Sequence, residues 1–141
     1  MGYPPLFIEY FKQLPTTLTS LRKAVLFSLW SAEKPLKAYD ILDRLVKITP
    51  NITAATVYRT LDFFMSTGLL HKIESIQSYT LCSAPEKHLP SELLMVCEAC
   101  QQVTEVYDAD LRELLTQLAL NSSFRLSQHV IELKGLCQQC H

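Results

Sequence analysis

The chain lacks several features that would define its class at once. Its uninterrupted apolar runs are short, such as Ala24–Phe27 and Leu93–Val96, whereas a membrane-spanning helix needs about 20 apolar residues. We therefore predict no membrane segment. The first residues, Met1–Ile8, lack a basic region and include Pro4 and Pro5, so we expect no signal peptide. Excess charge is also missing: the net charge is −1, which excludes a uniformly basic nucleic-acid binder.

The near-neutral total hides an uneven charge distribution. Residues 1–85 carry nine basic and six acidic side chains, a net of +3, whereas residues 86–141 carry four and eight, a net of −4. This asymmetry indicates two modules, with the basic one placed next to a polyanion. The 141 residues, 48% hydrophobic and 19% charged, are typical of one packed domain or two small ones.

Apolar spacing in the first half predicts helices followed by a hairpin. The predicted helices are Leu6–Leu14, a second from a Thr19 cap to about Ser31, Leu36–Ile48, and Ala54–Ser66 with Thr53 as its cap. The apolar face of the third is predicted to contain Tyr39, Ile41, Leu42 and Leu45. Two alternating strands, Leu69–Ile73 and Ser78–Cys82, follow Gly68. This order is typical of a winged helix-turn-helix.

The second half has a different pattern. The predicted elements are a hairpin of Leu93–Cys97 and Gln102–Tyr107, a helix capped by Asp108 or Asp110 that runs to about Leu120, and a strand over His129–Lys134. Asp110 and Glu113 resemble a capping box. We expect an α+β protein with a winged-helix domain over 1–83, a linker over 84–90 and a small α/β domain over 91–141.

Four of the five cysteines form two C-x-x-C pairs. These are C97-E-A-C100 and C137-Q-Q-C140, separated by 36 residues, and each lies at a predicted chain reversal. Two such turns can supply the tetrahedral four-thiolate shell that zinc prefers in structural sites. A domain of about 55 residues buries little surface and often needs a metal or disulfides for stability. On spacing alone, a C-x-x-C thiol oxidoreductase and haem attachment at C137-Q-Q-C140-H141 also remain open.

The predicted helix Ala54–Ser66 has side chains suited to DNA contacts at its start. Small Ala55 permits close approach, Thr56 and Tyr58 offer hydroxyl groups, and Arg59 can pair with guanine or phosphate. Arg22 is placed to contact the DNA backbone. The same residues could equally form a solvated helix face.

Several motifs together resemble the ferric uptake regulator family of bacterial metal-dependent repressors. They are T53-A-A-T-V-Y-R-T-L-D62, G68-L-L-H-K-I-E-S75, S78-Y-T-L-C82, C97-E-A-C100, H129-V-I-E132 and G135-L-C-Q-Q-C140. The stretch over 68–82 is most similar to the zinc uptake regulator branch. The resemblance implies a cytoplasmic homodimer without catalysis. Its winged helix would bind a palindromic operator, its C-terminal domain would dimerise, and the Cys97, Cys100, Cys137 and Cys140 zinc would be structural.

The resemblance also implies a second, sensory zinc at the hinge between domains, hence two zinc ions per chain. His71, Cys82 and Glu105 match the family's sensory motifs, and His88 in the linker is the fourth candidate. His129 falls where the wider family has a ligand for a further metal. The soft sulfur of Cys82 favours zinc over iron, so we expect a zinc-responsive repressor of zinc uptake genes. The alternative within the family is an iron or peroxide sensor.

The sequence departs from the family's pattern at two places. The family often has a histidine-rich cluster before the first C-x-x-C, whereas here the linker contains only His88. The family also often has T-P-Q-R before the second helix, whereas this chain has T19-S-L-R22, which keeps the arginine.

Overall fold

The computed structural model describes residues 2–14, 17–82, 93–126 and 130–141. They belong to two compact units, Met1–Leu81 and Cys82–His141. The predicted linker, 84–90, lies outside the described residues, and the predicted domain boundaries stay a prediction. Within the described part of the chain, no helix combines the length and hydropathy that crossing a membrane requires.

The first unit contains the four predicted helices. They are α1 (Pro5–Lys12), α2 (Ser20–Trp30), α3 (Ala38–Val46) and α4 (Ala54–Ser66). Threonine caps fix two of the starts, as predicted. The Thr19 side chain accepts a hydrogen bond from the Arg22 backbone N–H, and Thr53 accepts one from Thr56, both at 3.3 Å. Each cap satisfies a backbone donor that has no partner within its helix.

The prediction for α3 was wrong at its start and on its apolar face. Leu36 is extended and pairs with Tyr79 through backbone hydrogen bonds of 3.0 and 2.7 Å. The helix therefore begins at Ala38, where the Asp40 carboxylate accepts from the Lys37 N–H at 3.0 Å. Tyr39 is 61% exposed, because it lies two residues before Ile41 and therefore about 200° around the helix from it.

A two-stranded antiparallel wing follows α4. Strands β1 (Leu70–Ile73) and β2 (Ser78–Leu81) pair with Leu70 opposite Leu81. A short 3₁₀ turn, Glu74–Ile76, joins them. Gly68 has a φ of 80°, a left-handed conformation that glycine adopts at little steric cost at a helix end. The hairpin and helices confirm the winged helix-turn-helix prediction.

The core of the first unit is continuous and draws on every helix and both strands. Val57, Leu61 and Phe64 are fully buried, as predicted for the inner face of α4. Phe7 of α1 packs against Phe27 and Trp30 of α2, with ring centroids 5.1 and 5.4 Å apart. Because its inner face is part of this core, α4 presents its opposite face to solvent.

The second unit is built on a three-stranded sheet. Its elements are β3 (Leu93–Cys97), β4 (Val103–Val106), α5 (Ala109–Asn121) and β5 (Ile131–Gly135). The strand order is β4–β3–β5, with β4 antiparallel and β5 parallel to β3. A parallel pair needs a long crossover connection, and α5 lies within it.

Two predictions for the second unit need correction. Asp108, not Asp110, caps α5 by accepting from the Leu111 N–H at 3.0 Å. Asp110 lies inside the first turn, so the predicted Asp110–Glu113 capping box was wrong. Strand β5 begins at Ile131, two residues after the predicted start at His129, which lies outside the described residues.

Candidate functional site

The sheet of the second unit brings the two C-x-x-C motifs together. Parallel strands β3 and β5 end side by side, with Cys97 in register with Gly135. Each strand then enters a tight turn. The Gln101 N–H donates to the Cys97 carbonyl at 2.9 Å, and the Cys140 N–H donates to the Cys137 carbonyl at 2.9 Å. Because both turns start at the same sheet edge, their sulfurs face one small volume.

The four sulfur atoms form a compact cluster. All of them lie within 4.8 Å of one another, and the Cys100 and Cys137 sulfurs are 3.8 Å apart. These distances exceed the roughly 2.05 Å of a disulfide bond, and all four cysteines are free thiols. Cys97 is buried, whereas the other three are partly exposed. The structure thus groups the four residues that the sequence predicted as one set.

The thiols of the cluster differ in their pKa values. The backbone N–H groups around Cys97, chiefly those of Cys100 and Cys137, lower the pKa of its thiol to about 6. The Cys137 N–H donates to the Cys97 sulfur at 3.4 Å. Hydrogen bonds with Cys137 and Cys97 raise the pKa of the Cys140 thiol to about 12. One thiolate is favoured and a further one is opposed, because hydrogen bonds with the neighbouring sulfurs hold the Cys140 proton and because a second negative charge would repel the first.

A divalent cation would remove that repulsion. A soft metal binds thiolates rather than thiols, and four thiolates complete a tetrahedral zinc shell without an open position. The donor chemistry of the cluster therefore fits a structural zinc ion. Oxidoreductase chemistry fits less well, because it uses one C-x-x-C pair whereas here both pairs face the same volume.

Cys82 and Glu105 form a second group of possible ligands within this unit. Glu105 lies on β4, Cys82 is buried, and the Cys82 sulfur lies within 4.8 Å of a Glu105 carboxylate oxygen. The Tyr107 hydroxyl contacts both: it donates to Glu105 Oε2 at 3.0 Å and lies 3.5 Å from Cys82 Sγ. The sequence prediction missed Tyr107. Its position two residues after Glu105, on the same side of an extended segment, was the available signal.

Three further metal-ligand candidates remain. His71 lies on β1 of the first unit and is partly buried. His88 and His129 lie outside the described residues.

The predicted DNA-contacting residues lie along the exposed start of α4. Ala55 and Arg59 are exposed, Tyr58 is 41% exposed, and Thr56 is partly exposed. Thr56 accepts a hydrogen bond from the Arg59 guanidinium at 3.3 Å and lies 3.0 Å from the Thr53 hydroxyl. The guanidinium is thus held beside the N-terminal turn, where the helix dipole is positive and attracts phosphate.

Arg22 has a packing role in addition to the predicted phosphate contact. Its guanidinium lies over the Phe63 ring at 3.7 Å from the centroid, a distance typical of a cation–π contact. Arg22 therefore joins α2 to α4, the helix that carries the predicted DNA contacts. The side chain stays partly exposed, so the phosphate contact stays a prediction.

The first unit has a nucleic-acid-binding fold, the winged helix, and the second has a cluster of four thiols suited to a metal ion. Together they define a class of proteins that combine these two features. The chain belongs to the ferric uptake regulator family, whose model matches residues 14–134. It is 35% identical over 123 residues to the zinc uptake regulation protein of Escherichia coli (strain K12), covering 87% of this chain and 72% of that protein.

Two further comparisons define the family relationship. The peroxide operon regulator of Bacillus subtilis (strain 168) is 26% identical over 136 residues, covering 94% of this chain and 90% of that protein. A solved structure of a zinc uptake regulator complexed with zinc and DNA is 33% identical, with a TM-score of 0.85. That match covers 95% of this chain and 91% of the other. The similarity is thus greater towards the zinc regulators than towards this peroxide regulator.

Proposed function

We propose that the chain is a zinc-responsive, DNA-binding repressor of zinc uptake genes, and not an enzyme. In this proposal it acts in the cytoplasm as a homodimer on palindromic operator DNA, without a small-molecule substrate. Each chain would bind two zinc ions. One would be structural, held by Cys97, Cys100, Cys137 and Cys140; the other would be regulatory.

The observation that carries the proposal is the second donor group, which is separate from the four-cysteine cluster. Cys82 and Glu105 offer one sulfur and one carboxylate. We propose that His71 and His88 complete this regulatory shell, so that zinc is bound by residues of both units. Zinc binding would then favour the arrangement of units in which the dimer fits its operator.

Zinc is favoured over iron by the chemistry of this donor group. A thiolate is a soft ligand that suits zinc, whereas shells of oxygen and nitrogen suit ferrous iron and manganese. The relative from Escherichia coli is described as a zinc uptake regulation protein, and the similar solved structure contains zinc and DNA. These names support the proposal that this chain also binds zinc and DNA.

The second unit has an apolar surface that supports the proposed dimer. None of the residues of α5 is buried, and Leu114 and Leu118 are each 55% exposed. A groove of about 420 Å³ lies beside the helix, with Phe124 and Val130 in its lining. Contiguous apolar surface of this kind marks interfaces in soluble proteins. We propose that a second copy of the chain covers it.

Metal selectivity of DNA binding tests the proposed function. A palindromic duplex would first be selected from random DNA with the zinc-loaded protein. Binding to it is then measured by fluorescence anisotropy in buffered series of free zinc, ferrous iron and manganese, the latter two with free zinc held low. We expect zinc to activate binding at the lowest free concentration. Preferential activation by ferrous iron would instead support the iron-sensing alternative.

A further inference from the structure

Tyr107 connects the two donors that the second unit offers to the regulatory site. Its hydroxyl donates to Glu105 Oε2 at 3.0 Å and lies 3.5 Å from Cys82 Sγ. The side chain is partly buried. Cys82 is the first residue of the unit and Tyr107 directly follows β4, so one hydroxyl group joins two distant segments of the chain.

The direction of the hydrogen bond matters for metal binding. A phenol has one proton to donate and oxygen lone pairs to accept with. The proton is directed at Oε2 of Glu105, so the hydroxyl holds the carboxylate at one of its two oxygens. The sulfur of Cys82 lies beside the same hydroxyl. Tyr107 therefore restricts the side-chain rotamers of a carboxylate and a thiol that would have to meet at one ion.

We infer that Tyr107 is a positioning residue for the regulatory zinc site and increases its zinc affinity. The inference rests on the proposed function, since it assumes that Cys82 and Glu105 bind zinc. Residues that hold the ligands of a metal contribute roughly 10- to 100-fold to metal affinity. Removing the hydroxyl should cost a similar factor, because the ligands then lose rotamer freedom only when the metal binds.

Tyr107→Phe tests the inference, because it removes the hydroxyl group and keeps the ring. The matched control is Thr104→Val, which removes a hydroxyl from an exposed position of β4, next to Glu105. Affinity of the weaker zinc site is measured by competition with a chromogenic chelator on the full-length protein. Cobalt replaces zinc for absorption spectroscopy. The d–d bands report the coordination geometry of the bound cobalt, which a purely structural role of Tyr107 would not change.

We expect Tyr107→Phe to weaken the second zinc by about 10- to 100-fold and to shift the cobalt d–d bands. Thr104→Val should change neither. Zinc affinity within twofold of the unaltered protein, or tighter, would overturn the inference. Cys82→Ser measured in parallel separates the two proposals. If Cys82→Ser abolishes the second zinc and Tyr107→Phe has no effect, only the role of Tyr107 fails. If Cys82→Ser leaves the second zinc intact, both proposals fail.

Discussion

Replacing Cys97 by serine tests whether the four-cysteine cluster holds the second unit together. Among the described residues of that unit, the buried apolar side chains besides Cys82 and Cys97 are Leu94 and Val96. Burying an aliphatic side chain stabilises a fold by about 1.5–3 kcal/mol, so this pair supplies roughly 3–6 kcal/mol. Ordering the backbone costs about 1–2 kcal/mol for each residue. Two side chains therefore cannot order a unit of this length.

A structural zinc ion would contribute more to the stability of the unit than this pair of side chains. In small zinc-dependent domains, metal binding contributes roughly 10–16 kcal/mol to folding. Cys97→Ser removes the most buried sulfur of the shell and the acceptor of the Cys137 N–H. We therefore expect the second unit to unfold. The first unit should stay folded, because its core includes Phe7, Val25, Leu61 and Phe64 and contains no cysteine of the cluster.

Amide hydrogen exchange followed by mass spectrometry measures the two units separately in the full-length chain. We expect peptides from β3 and β5 to lose protection in Cys97→Ser, whereas α2 and α4 keep theirs, and zinc content falls. Cys82→Ser is the control, since it makes the same substitution outside the cluster. Unchanged protection of β3 and β5 in Cys97→Ser, with normal zinc content, would refute the reasoning.

Three further substitutions test the regulatory, DNA-binding and dimer surfaces. Cys82→Ser should give a folded dimer that keeps one zinc but no longer gains DNA affinity in buffered zinc titrations; a normal response would exclude Cys82 from the sensor. Arg59→Ala should weaken operator binding by about 1–3 kcal/mol, or roughly 5- to 150-fold, at unchanged zinc content, whereas Arg125→Ala loses the same charge in the second unit and should bind normally. Equal affinities of the two variants would show that α4 is misassigned. Leu118→Glu should give a monomer by sedimentation, and Leu6→Glu, at an exposed position on α1, should stay dimeric; a dimeric Leu118→Glu would place the interface elsewhere.

Local patterns predicted the elements of the fold well where one signal dominated. The Thr53 cap, the buried stripe of α4 and Gly68 agree in sequence and structure, because each depends on neighbours within a few residues. The start of α3 was not predictable in this way. Leu36 pairs with Tyr79, a residue distant in sequence, and this pairing moves the helix start to Ala38.

The candidate sites were also predictable only where the signal lies in the sequence itself. The spacing of the two C-x-x-C motifs predicted the cysteine cluster. In the structure, the motifs meet because the two parallel strands that precede them end side by side. Motif comparison predicted Cys82 and Glu105 as ligands, and their ligand role stays a prediction. Tyr107 escaped prediction because its position two residues after Glu105 is a weak signal on its own, and its contacts with Cys82 and Glu105 depend on side-chain geometry that only the structure gives.

Zinc content and DNA binding measured in one titration test the central claim most directly. The full-length protein is equilibrated across a buffered zinc series, and each sample is divided between metal analysis and anisotropy with the selected palindrome. We predict one zinc per chain before DNA binding begins, and a rise to two that coincides with it. Operator DNA should tighten the second zinc by the factor with which zinc tightens DNA binding. A zinc content that stays constant through the DNA-binding transition would contradict the account.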